Sequence, residues 1–352
     1  MIGASRKTVC ICGVGARTPL GLSALSSAAA VRAAISAVAL HPIFIDKTGE
    51  KMCVAHDASL DPFILTIDRF ATLLFASLQE ALADAITLRG GAPVPFIIGL
   101  PEPRPGLPPD LDRMLARRLR EEGIVRPTDP IHMLPHGHAA GLMAIQVAAQ
   151  KIMDGETEVC VAAGVDSYLN LDTLEWLDES GRLMSRENRN GFPPGEGAAA
   201  CLLASRSAAE RNGLPVLATI VAASTEVEPI TIMAEGVCIG QGLSKTIQNL
   251  TRQLRLPEQR ITATYCDLNG ERYRNEEFTY TLLRTQEAFV DAHDYLCPAD
   301  CWGDVGAASG PLFACLAIMA SLRGYSKGPT PLLWTGSESG HRSAVLLSLL
   351  GT

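Results

Sequence analysis

Short apolar runs alternate with helical patterns along the whole chain, and the alternation occurs twice. In the first series, residues 8–14 form a β-branched run ending near Gly15, and 22–35 is rich in Ala and Leu. Residues 69–86 repeat Phe70, Leu73, Leu74, Leu78, Ala81 and Leu82 at helical spacing. Buried strands are expected at 95–100, 158–165 and 195–204, a charged and exposed helix at 111–122, and a helix at 139–153 closed by Asp154-Gly155. In the second series, strands are expected at 216–223, 261–268, 332–335 and 344–350, and helices at 243–254, 278–289 and 311–322. Such alternation predicts an α/β protein with a mostly parallel sheet. The two series follow the same logic and join near 205–213 without a long linker, which predicts two packed βα halves, residues 1–208 and 209–352.

Composition narrows the classes. With 352 residues, 47% of them hydrophobic, the chain can bury one large core or two fused ones. The net charge is −8 and no Lys/Arg block stands out, so neither a nucleic-acid footprint nor a polybasic membrane anchor is expected. Two basic residues in 1–7 precede an apolar run at 9–14 that is too short for a signal peptide, and no run is long enough to span a bilayer. The ten cysteines are scattered; Cys297 and Cys301 lack the second pair that would complete a zinc site. Reduced, mostly buried thiols in a cytoplasmic protein are expected, with no cofactor and no metal.

Four segments carry a resemblance. Gly13-Val14-Gly15-Ala16-Arg17-Thr18-Pro19-Leu20-Gly21 follows the opening strand, and Ala163-Gly164-Val165-Asp166 closes a later one. Arg189-Asn190-Gly191-Phe192-Pro193-Pro194-Gly195-Glu196-Gly197-Ala198 is the most specific, and Gly306-Ala307-Ala308 opens an apolar helix. In order and spacing these resemble the β-ketoacyl-ACP synthases, whose motif R-x-G-F-x-x-G-E-G-A the third segment matches at seven of ten positions. The resemblance implies a thiolase-type fold, a five-layer αβαβα sandwich of two duplicated βα halves, and a homodimer. It also implies that Arg189 and Glu196 support the fold and the dimer rather than catalysis.

In that family a Cys at the start of a buried helix takes the acyl chain, two His assist decarboxylation, and backbone N–H groups form the oxyanion hole. The nucleophile position falls here on His138, and no Cys lies between Cys53 and Cys160. An imidazole can attack an acyl group, but acyl-imidazoles hydrolyse readily. His138 therefore reads first as a residue at a helix start capping a pocket; a general base, a ligand contact and a nucleophile are the alternatives. The first partner His is replaced by Asn269, which can donate a hydrogen bond but not shuttle a proton. The second falls on Gly303, next to Asp304. The glycine loop that shapes the oxyanion hole reads Gly336-Ser337-Glu338-Ser339-Gly340-His341-Arg342.

His138, Asn269, Asp304, Glu338 and His341 are thus expected to share one pocket. They would satisfy one another in a partly filled cavity; alternatively, two His and two carboxylates could bind a metal or run acid–base hydrolysis. The polar turn 267–274 is either a buried salt-bridge turn or a partner-recognition loop. His41, His56, His132, His136 and His293 read as surface or satisfied histidines. The Pro-rich segment 101–129 would lie near the pocket and the dimer interface.

Two functions follow. Motifs that build the fold are kept while those that make bonds are not, which suggests a binding, adaptor or chaperone protein. The 267–274 turn and the stretch 301–309 resemble degenerate thiolase-fold proteins encoded beside type VI secretion effectors, implying a secretion effector as partner. The alternative is an acyl-pathway protein: a partner subunit like the chain-length factors, a decarboxylase or an acyltransferase acting on acyl-carrier thioesters.

Overall fold

A computed structural model describes residues 8–85, 91–186, 188–232 and 234–350. The first half supplies β1 (Val9–Arg17), α1 (Ala24–Arg32), β2 (Val38–Ile45), β3 (Lys51–Ala55), α2 (Thr66–Ala81), β4 (Phe96–Leu100), α3 (Leu111–Glu121), β5 (Ile131–Pro135), α4 (Ala140–Asp154), β6 (Val159–Ser167), α5 (Leu171–Glu179) and β7 (Glu196–Ser205). After α6 (Arg206–Arg211) follow β8 (Ala218–Val227), α7 (Gln241–Thr251), β9 (Ala263–Cys266), α8 (Arg272–Thr285), β10 (Tyr295–Leu296), α9 (Ala299–Trp302), α10 (Ser309–Leu322), β11 (Pro331–Gly336) and β12 (His341–Leu349). Residues 1–7 and Ile86, the expected end of the second helix, lie outside the described residues.

Ten strands form one sheet in the order β10-β9-β11-β12-β8-β1-β7-β6-β4-β5. Read outward from the middle, each set of five runs first, fifth, fourth, second, third, so the same topology occurs twice. The two sets meet through β1 and β8 at only two residue pairs, Cys10 with Thr219 and Ile11 with Ala218. The sheet is mixed rather than mostly parallel: among the described residues five of its nine strand pairings are antiparallel. The reason is local. The turn at 337–340 folds β12 straight back on β11, and β7 returns antiparallel between β1 and β6, so no crossover helix sets their direction.

Three apolar clusters make the layers. Between the half-sheets, Leu142 and Ile145 of α4 and Leu312 and Phe313 of α10 pack with Ile11 and Leu203 on one side and Leu333 and Val345 on the other. Twelve of the fourteen residues of α10 are buried, which fits a helix apolar all round and fixes it as the central layer. This central layer is tight enough to require glycine: a Cβ on Gly141 of α4 would lie 2.5 Å from the Ala307 carbonyl oxygen and 2.4 Å from Pro311 Cδ. Outside the first half-sheet, α2 and α3 contribute Phe70, Leu74, Leu115 and Leu119. Outside the second, α7 and α8 contribute Leu243, Ile247 and Phe278. Each such side chain stabilises the fold by about 1.5–3 kcal/mol on burial. Helix α3, expected to be exposed, buries its Leu111, Leu115 and Leu119 stripe and exposes the opposite charged face.

Seven elements escaped the sequence reading: β2, β3, β5, β10, α5 and the short helices α6 and α9. The β2–β3 hairpin carries Pro42 and exposes much of β2, so its alternation is weak. Helix α5 is short and is started by Asn170, whose side chain accepts the N–H groups of Asp172 and Thr173. The edge strands β5 and β10 have half-exposed or exposed patterns without clean period-two hydrophobicity.

The most specific motif is a scaffold device. Glu196, fully buried at the start of β7, accepts Arg69 Nη1 at 2.9 Å on both oxygens, Ser167 Oγ at 2.9 Å and the Asp57 amide at 2.8 Å. It ties α2, β6 and the segment after β3 to one point. Arg189 is exposed.

Candidate functional site

The two central helices begin alike. Gly137–Ala139 forms a tight turn before α4, and Gly306–Ala308 forms its counterpart before α10. His138 sits in the first turn, 4% exposed, and its Nε2 lies 2.8 Å and 3.0 Å from the two carboxylate oxygens of Asp304. Asp304 also accepts the Gly306 amide at 2.9 Å and Asn269 Nδ2 at 2.6 Å. Burial opposes its ionisation, yet the His138 imidazolium, Arg274 and the Gly306 N–H outweigh burial and hold its carboxyl well below the usual carboxylate range. Burial likewise works against a charged His138, but Asp304 holds the proton on, against repulsion from Arg274, and its pKa lies above the ordinary histidine value. An imidazole whose Nε2–H is committed to a carboxylate cannot use that nitrogen as a nucleophile or a general base.

Asn269 has no donor left for an oxyanion. Its two amide protons serve Asp304 at 2.6 Å and Glu271 Oε2 at 3.1 Å. Gly303 could not carry the missing histidine. Its φ is +77°, and a Cβ there would lie 2.8 Å from the Gly195 Cα. The side chain that reaches His138 from this segment comes one residue later, from Asp304.

The 267–274 turn is a buried salt-bridge turn. Arg274, 4% exposed, donates from Nη1 to Asp267 Oδ2 at 3.1 Å and to the Gly336 carbonyl at 2.8 Å. Its Nη2 stands 3.4 Å from His138 Nε2, a contact between like charges offset by Asp304 and Asp267. Arg182 grips Glu271 at 2.7 Å and 3.1 Å and reaches Glu338 at 2.7 Å. Burial pushes the Asp267 carboxyl up, more than Arg274, His138 and the Gly336 N–H pull it down. Arg182 lies in the loop after α5 and gave no signal in sequence.

The five expected pocket residues therefore separate. His138, Asn269 and Asp304 meet directly. Glu338 joins at the edge through Arg182. His341 does not enter: its ring centroid lies 4.8 Å from that of His136, and its Nδ1 is 3.2 Å from Ser339 Oγ. The expected metal set of two His and two carboxylates is not assembled. Among the described residues the one trio close enough for an ion is Glu228, Cys238 and Glu277, and there Arg342 already holds both oxygens of Glu277 at 2.5 Å and 2.9 Å. The void beside Asp267, Gly303 and Asp304 measures about 10 Å³, about one water. The backbone N–H after His138, on Ala139, is donated at 2.8 Å to Ser337 Oγ, whose own hydroxyl donates to the His136 carbonyl.

The remaining histidines are mixed. His41 is buried, stacks on Phe44 and accepts two backbone N–H groups on Nδ1. His132 and His293 are exposed. His56 is not satisfied: its Nδ1 is buried without a hydrogen-bond partner.

Solved structures of low sequence identity share this fold over nearly all of the chain. The ishigamide ketosynthase/chain length factor superposes with a TM-score of 0.82 at 15% identity, covering 99% of this chain and 100% of that one. The ketosynthase from module 6 of the bacillaene synthase of Bacillus subtilis 168 superposes with a TM-score of 0.81 at 14% identity, covering 98% and 72%. Residues 136–209, from the His138 turn through β7, match the family described as "Beta-ketoacyl synthase, N-terminal domain". The protein is β-ketoacyl synthase-like. Its fold is the thiolase type, with the ketosynthase-like helix start of α4 at the centre. Two curated relatives match in part. The Cluster 41 polyketide synthase of Aspergillus flavus is 32% identical over 89 residues, 23% of this chain and 8% of the relative. The highly reducing polyketide synthase calA of Penicillium decumbens is 34% identical over 82 residues, 21% of this chain and 3% of the relative. The match thus spans under a tenth of either relative's length.

Proposed function

We propose that this ketosynthase-like protein has lost condensing activity and works as a binding, adaptor or chaperone protein. One observation carries the reading: the nucleophile position is a buried histidine fastened to Asp304 where a substrate would need space. The void lined by Asp267, Gly303 and Asp304 holds about 10 Å³, about one water, and His138 is not among its lining residues. Ionised Asp304 would also repel a carbanion formed beside it. The Ala139 N–H, a natural oxyanion donor, is committed to Ser337. Expected partners are a second copy of the chain and another protein, a secretion effector being the first expectation from the 267–274 and 301–309 resemblance. All ten cysteines are free thiols, which fits a reducing cytoplasm. Among the described residues no helix is long and apolar enough to cross a membrane.

A second reading is favoured by the neighbours. One is a ketosynthase/chain length factor, and another, AntDE:AntF, is titled as a type II PKS acyl-carrier protein in complex with its ketosynthase. On that reading the chain is an acyl-pathway partner subunit. Purification from native cells with identification of bound proteins separates the two. An effector without an acyl carrier supports the adaptor; an acyl carrier or an active ketosynthase supports the subunit. Steady turnover in a malonyl-carrier decarboxylation assay overturns the loss of chemistry.

A further inference from the structure

The sheet ends, among the described residues, at β10, a strand of two residues paired on one side to β9 through Tyr295 with Thr264 and Leu296 with Tyr265. Both Tyr295 and Leu296 are 38% exposed, an unusual degree for a Tyr-Leu pair at the rim of a core. Beside this edge lies a groove of about 220 Å³ between the sheet, α1 and α10. Its floor is apolar, from Val31, Leu316 and Ala320, with Tyr265 and Tyr325 as walls. That volume suits one or two aliphatic side chains.

The rim is cationic although the whole chain carries −8. Arg32 lies with its guanidinium 4.1 Å above the Tyr325 ring, and no carboxylate among the described residues pairs with it. A stacked guanidinium keeps its N–H edges available for a carboxylate. Arg323 is exposed close by: burial raises the Tyr325 pKa, and the charges of Arg32 and Arg323 both act against that rise. Lys327 is the third cation, and Asp294, its ion-pair partner, is the groove's one carboxylate. The lining holds two cations against one anion, a surplus of one positive charge at Arg32, and Arg323 adds to it from outside the lining. This groove shares no lining residue with the His138 cluster and does not depend on whether condensation is lost.

We propose that this groove binds an extended acidic segment of another protein by strand addition to β10. The open backbone edge of β10 supplies main-chain hydrogen bonds, the groove takes apolar side chains on one face of the added strand, and Arg32 and Arg323 take its carboxylates. Arg32 lines the same groove as the apolar floor, so the matching segment carries its apolar and acidic residues on one face, at every second position.

The test is fluorescence anisotropy of a fluorescein-labelled heptapeptide, Val-Ser-Glu-Ser-Val-Ser-Glu, titrated with the full chain at low and raised salt. Saturable binding, weakened by salt and at least about tenfold by Arg32→Glu, is expected, a difference of about 1.4 kcal/mol. Arg323→Glu, on the exposed end of α10, should weaken it in the same direction, so the result does not rest on one variant's folding. The same peptide N-methylated at alternate amides should lose binding. Absence of saturable binding overturns the proposal, as does equal binding by Arg32→Glu or by the methylated peptide. If the groove is instead covered by a second copy, Arg32→Glu will convert a dimer into monomers without peptide binding in either form, and that too overturns it.

Discussion

His138 Nε2 lies 2.8 Å from Asp304 Oδ1, and the pair is closed off on every recorded side by Asn269, Arg274 and the Gly306 amide. The position that would carry a reactive thiolate instead carries an imidazole whose Nε2 faces both oxygens of a buried carboxylate.

Restoring the thiol should not restore condensation. In His138→Cys the new sulfur stands beside ionised Asp304, which raises a thiol pKa and disfavours the thiolate. Asn269 and Gly303 still offer no proton shuttle. No β-ketoacyl product is expected with acyl and malonyl carriers, and alkylation by iodoacetamide should be slow at neutral pH. Measurable product would show that the site retains more chemistry than its geometry implies.

Removing one partner of the buried pair should be costly. Asp304→Asn keeps the shape but leaves His138 without its anion, and a loss of about 3–5 kcal/mol is expected. The double variant with His138→Gln should lose less than the sum of the two single changes, because both remove the same interaction. Urea midpoints with unchanged slopes check this; strict additivity would mean that the pair is not coupled.

The pair also sets a pH profile. His138 has a folded pKa raised above 6.5, so its contribution is fully present below about pH 6.5 and is lost as pH rises through the higher folded value. Asp304 has a folded pKa lowered from 3.8, so its contribution is present above about pH 4 and is lost as pH falls further. Asp267, raised from 3.8, runs the other way and gives up stability as pH climbs through its folded pKa. His138→Gln should flatten the loss of stability above pH 6.5 while leaving the acid arm from the remaining carboxylates. Thermal melts across pH 3–9 would detect this, and an unchanged alkaline arm counts against a charged His138.

Gly303 is constrained by shape. Gly303→Ala combines a positive φ with a contact of 2.8 Å to Gly195, and a loss of about 2–5 kcal/mol is expected. A fall in melting temperature at unchanged oligomeric state checks it; a silent substitution would show that the 193–195 segment yields easily.

Glu196→Gln tests whether the strongest motif is scaffold. It leaves buried Arg69 without a counter-ion and should cost about 3–5 kcal/mol. If Glu196 had a role in binding, partner capture would fail in a variant that melts like the parent.

The fold was legible because its signals are local. Strands such as β6 are short apolar runs, α4 ends at Gly155, and glycine motifs survive where backbones touch, as at Gly141 beside Ala307. Strand direction was not legible, since buried antiparallel strands such as β7 look as uniformly apolar as parallel ones. At the site, the sequence order placed His138, Asn269 and Asp304 together. It misplaced His341, because at the first residue of β12 the side chain's direction is set by the turn at 337–340 and by contacts with His136 and Ser339. Arg182 was missed because a lone arginine in a surface-like loop has no pattern; only the fold brings it to Glu271.

The twofold repeat of the sheet gives the His138–Asp304 pair a place in the order of folding. Each half delivers one member, and 166 positions separate them, so the contact closes only after most of the chain has been synthesised. While the ribosome is still extending the second series, α4 is preceded by a histidine that no anion holds, and the inner face of the first half-sheet waits for α10. Quality control that recognises exposed apolar surface therefore has its longest opportunity in that interval. A chain shortened before Asp304 would remain in that state for good.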